Sequence, residues 1–146
     1  MPALTKWNFT LNARVAQMVK ANSFNFAEIV DKYMKLEYKQ SWEAILEATD
    51  EVAKESVKKL KQTSPIGKSG DYAKNWKKKN EKGRMKVICT VYGADPTYRL
   101  AHLLEKGHAK RGGGRTDGIE HIAPVEAWAM DEVVDRFISK MEKSTI

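Results

Sequence analysis

The feature that most restricts the fold of this chain is one long stretch of helical periodicity in its first half. From Phe26 or Leu36 to Lys61, apolar residues recur every three or four positions, which is the spacing that gathers them on one face of an α-helix. The pattern predicts a long amphipathic helix, with a single break near Lys35 as an alternative. Ser64-Pro65 ends it, because the residue before a proline avoids the helical region. The apolar positions are Tyr38, Trp42, Ile45, Leu46, Val52, Ala53, Val57 and Leu60.

After this stretch the pattern changes to the two-residue alternation that is typical of strands. The segment 84–93 predicts a strand most clearly, because apolar residues alternate with mostly polar ones along it. A shorter alternation of Tyr72, Lys74 and Trp76 predicts a second strand, and Asn80–Gly83 predicts the connection of a hairpin. In the clearest strand one face carries Met85, Val87, Cys89 and Val91, and the other carries Lys86, Ile88, Thr90 and Tyr92.

The last part of the chain combines a glycine-rich loop with a second helix. Five of the nine glycines lie in Gly107–Gly118, a segment too poor in apolar residues to bury itself, so we expect a mobile basic loop. Pro124 suits the first turn of a helix. The apolar residues of this helix are Trp128, Met130, Val133, Val134, Phe137, Ile138 and Met141.

This order of elements predicts an α+β fold. The long helix and the C-terminal helix are expected to pack on a small, mainly antiparallel twisted sheet. We predict one domain over residues 36–146. Residues 1–24 are amphipathic without a firm period. Residues 1–35 are assigned to an N-terminal arm or short helices, with a helix around Asn12–Lys20 as one possibility and Trp7 and Phe9 as contacts to a neighbouring subunit.

The net charge of +7 is unevenly distributed. Between Lys58 and Lys86, eleven Lys or Arg residues face only two acidic ones, which gives a local charge of +9. Such a field attracts polyanions or an acidic protein surface, although a lysine-rich solvated surface produces the same pattern. Tyr72 and Trp76 beside the lysines suit either base stacking or burial on the inner face of a strand, and burial is favoured. The candidate contact residues here are Lys74, Lys77, Lys78 and Lys79.

Patterns that would indicate catalysis or a cofactor are weak. The single cysteine, Cys89, excludes a disulfide within the chain, and its apolar surroundings predict a buried, inert thiol. Gly67–Gly70 lacks the glycine spacing and the preceding strand of a phosphate-binding loop. A metal site can be drawn from His102, Glu105, His108 and His121, but a second pair of ligands on a helix is missing. We therefore predict no enzyme activity, no metal and no cofactor, and no stretch of 18 apolar residues predicts a membrane span.

Residues 36–142 closely resemble the head–tail joining, or tail-completion, proteins of long-tailed bacteriophages. The most specific part is Tyr98–Gly107 (YRLAHLLEKG), followed after the glycine-rich basic loop by His121–Pro124 (HIAP). Relatives usually carry Thr-Gly after the long helix, where this chain has Ser69-Gly70.

The resemblance implies a structural protein that forms a ring in the virion neck, after assembly in the host cytoplasm. Its expected partners are other copies of itself, the head-side connector or stopper, the tail terminator or tube, and packaged double-stranded DNA passing through the lumen without sequence preference. Six copies follow from the sixfold symmetry of tail tubes, with twelve as the alternative. A free DNA-binding module that uses residues 58–86 is the competing hypothesis.

The loop and its flanks supply the remaining candidate residues. Lys110, Arg111 and Arg115 are expected to contact a neighbouring subunit or ring, with DNA in the lumen as the second choice. Glu105, Gly107 and His121 are expected to anchor the loop. For the Glu105 carboxylate, hydrogen bonds at the base of the loop and an ion pair with Arg99 are the two alternatives.

Overall fold

The computed structural model describes residues 26–144, so the predicted helix around Asn12–Lys20 and the predicted contacts of Trp7 and Phe9 lie outside the described residues. The long helix, α1, spans Phe26–Thr63 without interruption. The alternative of a break near residue 35 is therefore wrong, and residues 26–35 of the predicted arm lie within this helix. It ends where predicted, with the backbone N–H of Ser64 bonded to the carbonyl of Leu60 at 2.9 Å.

A short helix and a two-stranded hairpin follow α1. Helix α2 spans Asp71–Lys74, strand β1 spans Trp76–Lys82 and strand β2 spans Val87–Gly93. The strands are antiparallel, and their ladder runs from the Trp76–Gly93 pair to the Lys82–Val87 pair. The strand predicted over β2 is confirmed, and its inner face carries Val87, Cys89 and Val91, which are half-buried.

Two local predictions in this region were wrong. Tyr72 and Lys74 lie in the single turn of α2, because the chain turns at Gly70 (φ 67°) before the strand begins. The connection of the hairpin is 83–86, since the ladder continues through Lys82 and the N–H of Gly83 bonds to the carbonyl of Lys86 at 2.7 Å. Met85 therefore lies in the turn, with 76% of its surface exposed, and not on the inner face of the strand.

Two more helices complete the described chain. A 3₁₀ turn at Thr97–Leu100 leads into the short helix α3, which spans Ala101–Lys106. The predicted C-terminal helix, α4, spans Ile122–Ser144, with Pro124 in its first turn. These elements and the small antiparallel sheet make the fold α+β, as the sequence predicted.

Helix α1 is the element on which the others pack. Helix α4 lies along it in the opposite direction, because Arg136 contacts Glu55 at 2.7 Å while Lys140 contacts Glu47 and Glu51 at 3.1 and 2.9 Å. The hairpin lies along another side of α1. Its Trp76 end meets Ser64, and its turn meets the Tyr38 hydroxyl through the carbonyl of Arg84 at 3.0 Å.

The core is small and lies against the second half of α1. Small side chains of α1 let its partners approach closely, and a buried cluster joins Leu60, Tyr72, Trp76 and Val125. Within residues 26–144, no helix has the length and hydrophobicity that a membrane crossing requires. The small buried side chains of α1 are Ala44, Ala48, Val52, Ala53 and Ser56.

Candidate assembly surfaces

The outer face of the hairpin carries part of the predicted basic surface. Lys77 and Lys79 point away from α1 and are exposed, and each lies opposite an exposed residue of β2, Tyr92 and Thr90 respectively. Lys79 is bonded to Glu81 at 2.6 Å on the same strand, so its charge is locally compensated. Lys77 forms no ion pair with any residue in the range 26–144.

Lys78 differs from its neighbours because it faces α1. Its ammonium group pairs with the carboxylate of Asp50, which also accepts hydrogen bonds from Lys54 and Asn80 at 2.6 Å each. The hydrogen bonds from Lys54 and Lys78, followed by that from Asn80, hold the pKa of Asp50 well below its usual range. Lys78 thus connects β1 to α1. Its charge is neutralised by Asp50, although the sequence predicted Lys78 as a contact to a partner.

Lys74 lies apart from the hairpin, in the turn of α2. It is exposed and lies beside Gly70, where the chain leaves the loop after α1. Of the four lysines predicted as contacts in this region, the structure therefore leaves Lys74 and Lys77 without a carboxylate partner among residues 26–144.

The glycine-rich loop is folded back on itself by backbone hydrogen bonds. The N–H of Lys110 bonds to the carbonyl of Gly114 at 2.9 Å, and the N–H of Thr116 bonds to the carbonyl of His108 at 2.8 Å. The loop therefore has internal structure although it buries few apolar side chains. Its low content of apolar residues had led us to expect a mobile loop. Lys110 and Arg111 are exposed at its tip. Arg115 donates to the carbonyl of Gly107 at 3.3 Å and so also supports the base of the loop.

Two glycines allow the ends of this loop to cross. Gly107 has φ 73°, which other residues rarely adopt, and a Cβ atom there would overlap the carbonyl oxygen of Thr116. A Cβ atom at Gly118 would overlap the backbone carbonyl of Glu105. The crossing point is thus too close for any side chain.

The carboxylate of Glu105 binds the N-terminus of α4. Its Oε2 accepts hydrogen bonds from the backbone N–H groups of His121 and Ile122 at 2.9 and 3.0 Å, and its Oε1 accepts one from Ala123 at 2.9 Å. Burial raises its pKa, but the three backbone hydrogen bonds outweigh burial, so the pKa lies below its usual value. The alternative ion pair with Arg99 is wrong, because the Arg99 side chain bonds instead to the Tyr98 hydroxyl at 3.2 Å.

His121 connects this anchor to the core. Its Nδ1 lies 2.7 Å from the carbonyl of Ile119 and 2.9 Å from the Glu105 carboxylate, so Nδ1 is the donor and Nε2 accepts from the Tyr72 hydroxyl at 2.7 Å. Burial, with a smaller effect of the Glu105 charge, raises the pKa of Tyr72 to about 12. Trp76 packs edge-on against Tyr72 and donates to Ser64 at 2.8 Å. These contacts satisfy the polar side chains of this part of the core.

Two groups of exposed apolar side chains lie on the long helices. On α4, three residues spaced four apart form a stripe, Met130, Val134 and Ile138, with 67%, 53% and 48% exposure. The sequence assigned them to one apolar face with Trp128, Val133, Phe137 and Met141, but of these seven residues only the latter four are half-buried. The first part of α1 forms the second surface, through Val30, Tyr33, Met34, Leu36 and Tyr38. Exposed apolar patches of this kind mark interaction sites.

Comparison with known proteins identifies the family. The model of the HK97-gp10-like family, described as "Bacteriophage HK97-gp10, putative tail-component", matches residues 27–107. The chain belongs to this family. The match begins within α1, includes the whole hairpin and ends at Gly107. No curated protein and no solved structure matches the chain.

Family membership agrees with the resemblance found in the sequence. It indicates a bacteriophage structural component located in the virion and in contact with other virion proteins. The exposed apolar surfaces of α1 and α4 are the parts of the described structure best suited to such contacts.

Proposed function

We propose that this protein forms a ring in the phage neck that joins the connector of the DNA-filled head to the tail terminator or tube. In this proposal the chain is made in the host cytoplasm and ends in the virion at the head–tail interface. The observation that carries the proposal is the pair of different exposed apolar surfaces on a member of a tail-component family.

A closed ring requires two unlike surfaces, one of which meets the other on the next subunit. The stripe on α4, defined by Met130, Val134 and Ile138, and the first part of α1 differ in position and in composition. Each covers about two and a half helical turns, at 3.6 residues per turn, so they suit helix-on-helix packing between neighbours. Six copies follow by analogy with tail tubes, and twelve is the alternative.

The basic loop is proposed to contact the neighbouring protein ring. Lys110 and Arg111 are exposed at its tip and have no ion pair in the described part of the chain. An acidic surface on a connector or terminator would neutralise them at low desolvation cost. The second choice is that they lie near phosphates of DNA in the lumen. Gly107, Glu105 and His121 hold the loop in position in either case.

An apolar-to-charged change in the stripe tests this function. Val134→Asp is expected to leave the fold intact, since the side chain is 53% exposed, but to prevent joining. Loss of a central contact costs about 2 kcal/mol or more, or about thirtyfold in affinity per interface. Ser139→Asp is the matched control, because it adds the same charge at an exposed position on another side of α4.

The assay mixes heads and tails from a phage that lacks this gene with each purified protein and measures infectious titre. Wild-type and Ser139→Asp proteins are expected to restore the titre, and Val134→Asp is not. Restoration by Val134→Asp to the wild-type level would contradict a role for the stripe in assembly.

One observation favours a second function, a nucleic-acid-binding module. Lys77 and Tyr92 lie side by side on the exposed face of the hairpin, where an ammonium group and an aromatic ring suit phosphate and base. However, Lys78 and Lys79 are neutralised by Asp50 and Glu81, which lowers the number of phosphate contacts. Titration with duplex DNA at several salt concentrations separates the two functions. A steep salt slope for the isolated protein would favour this module over the neck protein.

A further inference from the structure

The turn of the hairpin carries positive charge that no residue in the range 26–144 neutralises. Residues 82–86 contain Lys82, Arg84 and Lys86 and no acidic residue, which gives a local charge of +3. All three side chains are exposed, and none forms an ion pair with another described residue. Met85 lies among them with 76% of its surface exposed. The hairpin tip, defined as residues 82–86, is therefore a basic surface with an apolar centre.

The hairpin tip is held in place on α1. The N–H of Gly83 donates to the carbonyl of Lys86 at 2.7 Å, which closes the turn. The hydroxyl of Tyr38 donates to the carbonyl of Arg84 at 3.0 Å, which fixes the turn beside the first part of α1. Tyr38 belongs to the exposed apolar surface of α1, so the tip extends that surface and adds positive charge to it. A surface that is ordered before binding loses little conformational entropy when a partner docks.

The outward face of α4 has the opposite charge. At 3.6 residues per turn, Val134 and Ile138 of the stripe lie about 160° around the helix from Arg136, which contacts α1. Beside the stripe lie three exposed carboxylates that form no ion pair within the described part of the chain. The outward face of α4 therefore combines the apolar stripe with a charge of −3. The three carboxylates are those of Asp131, Asp135 and Glu142.

These opposite charges do not meet within one subunit. Met85 of the tip and Phe137 of α4 line the same cleft beside α1, so the tip and α4 lie near one another. Even so, the cations of the tip form no ion pair with a carboxylate of α4 in the described structure. Charges of +3 and −3, each next to exposed apolar side chains, are thus left for a contact between molecules.

We propose that the hairpin tip of one subunit docks on the outward face of α4 of the next copy. Met85 then packs against the stripe, and the cations of the tip lie beside Asp131, Asp135 and Glu142. This contact rests on the ring proposed above and names residues that join its subunits. It is compatible with packing of the stripe on the first part of α1, because the tip lies beside Tyr38.

Charge complementarity favours a second copy as the partner of the tip. Opposite charges across an interface direct the encounter and suppress wrong orientations. Duplex DNA would also attract the cations of the tip, but it would leave the acidic face of α4 without a partner. A second copy supplies a match for both surfaces at once.

Charge reversal tests whether the two surfaces meet. The first variant carries Asp131→Lys and Asp135→Lys, which makes the outward face of α4 basic. The second carries Arg84→Glu and Lys86→Glu, which makes the tip acidic. In a ring of either variant alone, like charges meet at every interface. We expect each variant to lower the infectious titre in the head–tail joining assay by at least about tenfold.

A mixture of the two variants gives the decisive result. Copies that alternate around a ring of six or twelve have opposite charges at every interface. We therefore expect an equimolar mixture to restore most of the wild-type titre, although each variant alone fails. Recovery of this kind arises only from contacts between copies, and it shows that both variants are folded.

The matched control carries Asp71→Lys and Glu120→Lys. It makes the same change in net charge at two exposed positions that belong neither to the tip nor to the outward face of α4. This control is expected to keep the wild-type titre. An equal loss in the control would show that the titre follows net charge alone, and would overturn the proposal.

Three other results would overturn it. These are wild-type titre for both reversed variants, a loss confined to the variant of the tip, and a mixture that does not recover. A loss confined to the tip would assign the tip to DNA or to another ring. If Val134→Asp still prevents joining in these cases, the ring stands without this contact. If Val134→Asp also joins normally, the role of the stripe in the ring fails as well.

A series of neutral changes gives an answer if a reversed variant fails to fold. Asp131→Asn with Asp135→Asn, and Arg84→Gln with Lys86→Gln, are measured separately and in one chain. Groups that contact one another give a combined loss smaller than the product of the separate losses. A combined loss equal to that product would contradict the contact.

Discussion

The sharpest consequence of the structure concerns Glu105→Ala. This change removes the acceptor of three backbone N–H groups at the start of α4. The N–H groups of His121 and Ile122 are partly buried, and that of Ala123 is exposed to water. An unsatisfied buried N–H costs about 1 to 2 kcal/mol, and loss of a negative charge at a helix N-terminus adds about 0.5 kcal/mol. We therefore expect the free energy of unfolding to fall by about 3 kcal/mol, measured by urea denaturation at pH 7 with tryptophan fluorescence.

The matched control is Glu120→Ala, which removes an exposed carboxylate next to the same helix start. It is expected to change stability by less than about 0.5 kcal/mol. Because the pKa of Glu105 is lowered in the folded state, its contribution is present above the unfolded pKa of about 4.3 and is lost as the pH falls below it. The gap between wild type and Glu105→Gln should therefore narrow in acid. Equal effects of the Glu105→Ala and Glu120→Ala changes would refute the anchoring argument.

Three further outcomes follow from individual residues. Gly107→Ala should destabilise the fold by about 2 kcal/mol or more in the same denaturation assay, because Gly107 has a positive φ and a Cβ atom there would overlap Thr116. The control Gly112→Ala should have little effect, because a Cβ atom at Gly112 would meet open space. Asp50→Asn should lower the free energy of unfolding by about 1 kcal/mol, because it weakens the contact between β1 and α1. Acid should have the same effect on the wild-type protein. The pKa of the Asp50 carboxyl is lowered in the folded state, so its contribution to stability is lost as the pH falls. Burial raises the pKa of Cys89, so a thiol reagent at pH 8 should react more slowly with the native chain than with the unfolded chain; equal rates would contradict this.

The sequence predicted the parts of the fold that depend on long, regular patterns. Helix α1 was predicted from a helical period that continues over many turns. Its end at Thr63 was predicted separately, from Ser64-Pro65. The strand over Val87–Gly93 follows from the alternation of its two faces, with Val87, Cys89 and Val91 on the inner one. Shorter patterns failed because tertiary contacts decide them. Tyr72 lies in a helical turn that follows Gly70, and its hydroxyl is placed there by a contact with His121, which is 49 positions away in the sequence.

The candidate surfaces were predicted less well, for a physical reason. A sequence gives the charge of a lysine but not its partner, so Lys78 looked like its neighbours until its contact with Asp50 was seen. Helical spacing likewise cannot tell which part of a wide apolar arc meets α1, and Val134 is exposed while Val133 is not. The sequence suggested hydrogen bonds from Glu105 at the base of the glycine-rich loop, with an ion pair to Arg99 as the alternative. It did not indicate that the partners are the backbone N–H groups at the start of α4, because that contact spans the loop.

The most direct test of the neck assignment uses the virus itself. Particles of a phage that lacks this gene are examined by negative-stain electron microscopy before and after addition of the purified protein. We predict filled heads and free tails in the deletion, and joined virions once the protein is added. Normal joined virions in the absence of the gene would contradict the assignment.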